Sequence, residues 1–213
     1  MIMNEQLFEE LRSSFKTKDK LAIETQINII VKLPESQHYI SQNTYMHPLG
    51  FYFCVLKNFK NKETFRLHFW HKDSFNIEPL MKIHNHYYTV NSFILKGSIL
   101  NHVYEVVENG SQYAIYSGDY NTNGDRILKK RPTQVGIKHL RTESINTKEL
   151  YHISTSDFHE NEATGNFTCT FVYTEEPGIP QPIVLGPNNG MDEYYHPNRL
   201  QKPSIILSLL NLL

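Results

Sequence analysis

The sequence has few cysteines and no long apolar run, and these two absences restrict the class of protein. Only Cys54 and Cys169 occur among 213 residues, so we expect no disulfide framework and predict a reducing, cytoplasmic location. No apolar run reaches the roughly 18–20 residues that a membrane-spanning helix needs, so we expect no membrane partner. The first residues also lack the basic and apolar segments of a signal peptide.

Net charge is also nearly absent. The formal net charge of −1 gives no reason to expect a nucleic-acid partner. The exception is segment 126–141, which begins at Arg126 and contains basic residues but no acidic one. It lacks the interleaved aromatic residues that single-stranded nucleic acid would require. We therefore interpret this segment as the solvated face of a hairpin, with an anion-binding or nucleic-acid patch as the alternative.

The N-terminal part has a helical pattern. Apolar residues recur with helical spacing across residues 3–33. Thr17 begins a short interruption, and Asp19 is a suitable N-cap for a second helix. Pro34 follows and is predicted to end the helical stretch. A domain this small would not fold alone, so we predict that residues 1–45 form two helices packed on the main body.

Residues 46–185 have the pattern of a β-rich domain. Short runs of aromatic and β-branched residues alternate with predicted turns, such as Gly97–Ser98 and Asn109–Gly110. This pattern predicts a mainly β fold, an antiparallel sandwich or barrel without alternating β–α–β units. Residues 186–213 are a C-terminal extension with an apolar end. We predict that this end is a short helix or strand, buried on the body or in a homodimer contact.

Two histidines separated by one residue, His84 and His86, form the main candidate site. Alternate side chains of a strand share a face, so the two imidazoles can occupy adjacent positions around one metal ion. Imidazole binds iron, zinc, copper and nickel, so the pair does not identify the metal. A third ligand must come from another strand, and His152 and His159 are the candidates. We predict His152, because it lies in the strand-like Leu150–Ser154, whereas His159 lies in a turn-like segment.

Arg66 and His68 are the candidate substrate-binding residues. They alternate with Leu67 and Phe69 in a predicted strand. If those two apolar side chains pack between layers, Arg66 and His68 face the barrel interior. An arginine beside a metal can bind a substrate carboxylate through two parallel hydrogen bonds. The alternative is an outward, solvated Arg66.

The spacing of these motifs resembles the two-motif layout of the cupin superfamily. In that family the first motif supplies His-x-His and usually a glutamate, and the second supplies one more histidine. The pair His84/His86, followed by Gly97 and then by His152 on a later strand, is similar to this layout. The glutamate position, however, falls at Val90 or Asn91. Three histidines without the glutamate resemble the cysteine-dioxygenase-like thiol dioxygenases.

This resemblance implies a jelly-roll barrel and a metal site. His84, His86 and His152 would bind Fe(II), with Zn, Ni or Mn as alternatives. Tyr173 matches the family's active-site tyrosine, and His159 is a candidate proton donor or acceptor. Phe171 stands where the family has a histidine, which leaves the identity of the substrate open.

The implied function is that of a mononuclear non-haem iron dioxygenase. It would oxidise a small thiol, or a related carboxylate-bearing substrate, with O₂. A non-oxidative cupin is the alternative, either a metal-dependent isomerase or lyase or a small-molecule binding module.

Overall fold

A computed structural model describes residues 5–72, 81–122, 124–178 and 181–213. The fold is mainly β, an antiparallel sheet that curls into a half-barrel and carries helices at its N-terminus, which confirms the predicted fold class. The helices are α1 (Glu5–Thr17), α2 (Lys20–Lys32), α3 (Pro34–Gln42) and α4 (Pro203–Leu210), and the strands are β1 (Thr44–Met46), β2 (Tyr52–Asn58), β3 (Thr64–His71), β4 (Tyr88–Tyr120), β5 (Arg126–Asn146), β6 (Leu150–Ile153), β7 (Phe158–Pro177), β8 (Ile183–Gly186), β9 (Glu193–His196) and β10 (Arg199–Leu200). The sheet order is β10-β1-β2-β3-β7-β4-β5-β9, and β6 and β8 also pair with β4.

The helix boundaries follow from their capping residues, with one correction. Asp19 caps α2 by accepting a hydrogen bond from the backbone N–H of Ala22 at 3.1 Å, as predicted. Pro34 begins α3 and does not end the helical stretch. Proline suits the first turn of a helix, where its missing N–H would have no partner and its φ is already helical. The predicted start at residue 3 lies outside the described residues.

One face of the sheet is covered by helices. Phe15 of α1, Ile27 of α2 and Ile206 of α4 pack with Phe65 of β3 and Phe171 of β7 in one buried core. The Phe15 ring centroid lies 5.7 Å from that of Phe65 and 6.2 Å from that of Phe171. Full burial of each such side chain contributes about 1.5–3 kcal/mol. None of the helices in the described ranges is long and apolar enough to cross a membrane.

Strand β4 is longer than predicted, because two expected turns lie inside it. Strand β5 is also longer than predicted, and it pairs with β4 from Arg126 to Asn146. Gly97 has a φ of 77°, and a Cβ at this position would lie 2.4 Å from Oγ1 of Thr168. The glycine therefore permits a bend within the strand. At Asn109–Gly110 the pairing with β5 shifts between Val106 and Ser111. Both turn predictions are wrong, since a continuous strand absorbs these residues as irregularities.

An extended segment around His84 connects two parts of the curled sheet. His84 pairs with His159 of β7 on one side and with Val184 of β8 on the other. The backbone N–H of His84 donates to the carbonyl of His159 at 3.0 Å, and the reverse bond measures 2.9 Å. The segment was predicted as a strand, but it makes only these isolated bridges before β4 begins. The bridges hold His84 and His159 side by side.

Candidate metal centre

The inner face of the curled sheet borders a cavity of about 1000 Å³. Alternation along β3 directs Arg66, His68 and Trp70 to this cavity. The intervening Leu67 and Phe69 are fully buried in the helix-covered core. Arg66 and His68 therefore have the inward orientation that their alternation predicts.

Three histidines, His84, His86 and His159, form a cluster at the cavity. One ring nitrogen from each lies within 4.8 Å of the others, and Nε2 of His86 is 3.0 Å from Nε2 of His159. Two imidazole nitrogens bound at right angles, each about 2.0–2.1 Å from one ion, would be about 2.8–3.0 Å apart. His86 and His159 are thus spaced as neighbouring ligands of one metal ion.

The third histidine of the cluster is His159, and the predicted ligand His152 lies outside it. In β6, Tyr151 and Ile153 line the cavity, while His152 between them is exposed. Its Nδ1 lies 3.1 Å from Oδ1 of Asn91 instead. His159 belongs to β7 and not to a turn, with backbone pairing on both sides. It therefore has the rigid strand support that favoured His152 in the sequence.

Tyr173, the predicted catalytic tyrosine, lies on the face of β7 opposite the cavity. Its neighbours Val172 and Thr174 line the cavity. Tyr173 itself is fully buried, with its ring centroid 5.4 Å from that of Phe65. Its hydroxyl makes no hydrogen bond of standard geometry with a described residue, although burial and the Glu63 carboxylate raise its pKa.

Hydrogen-bond partners fix the protonated nitrogen of two of the histidines. Nδ1 of His84 lies 2.8 Å from the carbonyl oxygen of Lys82, which can only accept, so Nδ1 carries the proton. Nδ1 of His159 lies 3.1 Å from Oδ1 of Asn101, whose Nδ2 donates to Glu143 at 3.0 Å. Because the carboxylate only accepts, the Asn101 oxygen faces His159 and accepts from Nδ1–H. In both rings Nε2 is left with a lone pair for a metal.

Burial keeps the cluster uncharged. It lowers the pKa of His84 to about 4, and it lowers the pKa of His86 and of His159 well below the ordinary value. Since Nε2 of His159 holds a lone pair, Nε2–H of His86 is the donor in the 3.0 Å contact between them. To bind a metal ion through Nε2 as a neutral ligand, His86 would carry its proton on Nδ1 instead. Three neutral imidazoles are suitable ligands for iron, zinc, copper or nickel.

Two residues that support the site were missed in the sequence. Asn101 is 1% exposed and lies between the buried Ile99 and Val103 on one strand face. A polar residue in an otherwise buried apolar face is a signal that could have identified it. Arg126 was predicted to lie on a solvated hairpin, but it lines the cavity together with His84. Nothing in its basic run distinguishes Arg126 from its exposed neighbours.

Arg66 has only neutral hydrogen-bond partners among the described residues. Its Nη1 donates to the hydroxyl of Tyr88 at 2.7 Å, and its Nε donates to Oγ1 of Thr64 at 2.9 Å. The guanidinium also lies 4.9 Å from the centroid of the Tyr88 ring. These contacts hold the side chain in place but leave its charge available for an anion in the cavity.

No protein-family model matches the sequence, and no curated protein matches it. The function is therefore inferred from the fold and from the geometry of the histidine cluster.

Proposed function

We propose that the protein is a cupin-type mononuclear non-haem iron dioxygenase that acts on a carboxylate-bearing small molecule, with thiols as the first class to test. The observation that carries this proposal is the His84/His86/His159 cluster, whose ring nitrogens lie within 4.8 Å of one another at a large cavity. Bound Fe(II) would supply the activation of O₂. With a thiol, both oxygen atoms enter the product, a sulfinic acid, so no other oxidant is required.

The chain's own side chains would bind and orient the substrate. Arg66 would hold the carboxylate through N–H groups that Thr64 and Tyr88 do not use. His68 lies on the same strand face, and burial lowers its pKa to about 3. It is therefore neutral near pH 7 and can donate or accept one hydrogen bond.

His159 has a different role from the proton transfer suggested by its sequence position. Its Nδ1–H donates to Asn101, and its Nε2 belongs to the cluster. Both ring nitrogens are thus engaged in this proposal. We therefore propose His159 as a metal ligand in place of His152.

A non-oxidative cupin is the second candidate, either a metal-dependent isomerase or lyase or a binding module. The position of Tyr173 favours it, because the residue that matched the dioxygenase tyrosine does not reach the cavity. The same imidazoles suit zinc, nickel or manganese. The identity of the bound metal distinguishes the two candidates.

The compartment we propose is the cytoplasm. Cys54 and Cys169 are buried and unpaired, which suits a reducing environment.

Elemental analysis of three proteins tests the proposed function. Wild type and His152→Ala should contain stoichiometric iron after anaerobic loading with Fe(II), whereas His159→Ala should lose it. The iron-loaded wild type should then consume O₂ with a carboxylate-bearing thiol, for which cysteine and 3-mercaptopropionate are the first probes. Zinc in place of iron, or iron content that is unchanged in His159→Ala, would contradict the dioxygenase assignment.

A further inference from the structure

Arg126 brings a second guanidinium to the cavity wall beside His84. It packs directly against the backbone of Gly118. A Cβ at Gly118 would lie 3.2 Å from Nε and 3.3 Å from Nη2 of Arg126. Any larger residue at position 118 would crowd the guanidinium, so the absence of a side chain there gives Arg126 its place in the cavity.

The Nε–H of Arg126 is buried without a hydrogen-bond acceptor among the described residues. The adjacent acid, Asp125, is already engaged, since it accepts from the hydroxyl of Tyr195 and from the backbone N–H of Asn198. Asp119 also lines the cavity and contributes a negative charge to this wall. The Nε donor nevertheless has no acceptor among the described residues, and an unsatisfied buried donor lowers stability.

The cavity has room and an aromatic wall for a ligand longer than an amino acid. Its volume of about 1000 Å³ is at the upper end of the range of pockets that bury drug-sized molecules. The rings of Phe51 and Trp70 have centroids 4.9 Å apart, and Leu49 and Phe53 line the same cavity. This wall offers an apolar surface to the middle of a longer ligand.

We propose, on the basis of the proposed function, that the substrate is an organic dicarboxylate longer than an amino acid. One carboxylate binds Arg66 and the other binds Arg126, while the apolar middle lies along the wall formed by Phe51 and Trp70. Both arginines border the cavity that contains the histidine cluster. A guanidinium binds a carboxylate through parallel hydrogen bonds, which gives each end a matched partner.

Binding can be measured through Trp70, because it is the only tryptophan of the chain and lies in the cavity wall. The probes are linear dicarboxylates from succinate to sebacate, each compared with the monocarboxylate of equal carbon number. They are titrated into both the metal-free and the iron-loaded protein. At least one dicarboxylate should bind about tenfold or more tightly than its monocarboxylate, because it gains one charge-assisted hydrogen-bonded pair.

Variants at the two arginines test whether they cause the tighter binding of dicarboxylates. Arg126→Gln should abolish it, as should Arg66→Gln, while Arg126→Lys should keep part of it because the charge remains. Arg199→Gln is the matched control, since it removes one positive charge from an exposed position. The control should change dicarboxylate affinity by less than about twofold, because charges exposed to solvent are screened. Thermal unfolding of each variant checks that it is folded.

Equal binding of dicarboxylates and monocarboxylates by the wild type would overturn the inference. So would an advantage that persists in folded Arg126→Gln. Metal analysis gives an independent answer on the proposed function. A zinc or metal-free protein that binds dicarboxylates through Arg126 would exclude the dioxygenase and keep the dicarboxylate site. An iron-containing dioxygenase that binds dicarboxylates and monocarboxylates equally would exclude the dicarboxylate site and keep the proposed function.

Discussion

The two faces of the curled sheet come from the same strands but differ in chemistry. On β3, Phe65 and Leu67 face the helices and are fully buried, whereas Arg66 and His68 face the cavity. The helix-covered face is packed with aliphatic and aromatic side chains, and the cavity face carries imidazole and guanidinium groups. The comparison teaches that the position of a residue in the strand alternation decides its contribution to stability or to chemistry.

The largest expected difference between the two faces is in the stability lost when a buried side chain is truncated, which should be greater on the helix-covered face. Phe65→Ala should lower the free energy of unfolding by about 3–5 kcal/mol, because it leaves a cavity in a closed core. Urea denaturation measures this loss. Phe53 is a matched phenylalanine that lines the cavity and is only half-buried. Phe53→Ala should cost about 1–2 kcal/mol, and equal losses from the two variants would remove the distinction between the faces.

A second test concerns the charged group at the border of the helix-covered core. Glu63 accepts a hydrogen bond from Nε of Arg12 and another from Nζ of Lys16 at 3.2 Å. Burial alone would raise the pKa of Glu63, but its hydrogen bonds, that from Arg12 foremost, outweigh burial and lower the pKa from 4.5 to about 2. The folded pKa is below the unfolded one, so Glu63 stabilises the fold above pH 4.5. This contribution is lost as the pH falls toward 2.

Glu63→Gln should therefore lower the free energy of unfolding at pH 7 by about 2–3 kcal/mol. The difference from wild type should shrink below pH 4.5 and vanish near pH 2, as measured by urea denaturation across this pH range. Glu9→Gln is the control, because Glu9 also pairs with Arg12 but its side chain is 50% exposed. It should cost less than about 1 kcal/mol, and a pH-independent loss in Glu63→Gln would contradict the pKa assignment.

On the cavity face, the expected effect is on metal affinity and not on stability. Asn101→Ala removes the acceptor that orients His159, which should weaken metal binding about 10- to 100-fold. Competition with a chelator measures this change. Asn91→Ala is the matched control, since Asn91 lies on the same strand and contacts His152 at the same 3.1 Å. If both variants weakened metal binding equally, His159 would lose its assignment over His152.

The smallest effect is expected from Tyr173→Phe. The hydroxyl has no hydrogen bond of standard geometry with a described residue, and the ring remains to fill the core. Stability should change by less than about 1 kcal/mol, and metal content and O₂ consumption should be unchanged. A loss of O₂ consumption in a folded variant that retains its metal would show that Tyr173 acts at the cavity.

The sequence alone could identify the alternation of β3 and the His84/His86 pair, because both depend on local spacing. The third ligand could not be chosen in this way, since it depends on the inward-facing positions of β6 and β7. Lys96 of β4 pairs with Cys169 of β7, and the next pair is Ser98 with Thr164. Between these pairs β4 advances by two residues and β7 by five, so β7 contains three extra residues. Because this number is odd, the alternation of β7 side chains between the two faces of the sheet is reversed beyond this point.

That reversal places two of the predicted site residues, both in β7, on opposite faces of the sheet. His159 and Tyr173 both occupy odd-numbered positions of β7, yet one faces the cavity and the other faces the helices. A prediction that assumes regular alternation along β7 cannot assign both residues to the correct face. The helix pattern was easier to predict, because the Asp19 cap acts within one turn of α2.

The reciprocal backbone bonds between His84 and His159 have a consequence for assembly of the centre. In many small metal domains the ligands come together only when the ion arrives, so removal of the ion unfolds the chain. Here the sheet itself brings two of the proposed ligands together before any ion binds. The proposed centre is therefore preorganised, and removal or exchange of its ion should leave the protein folded.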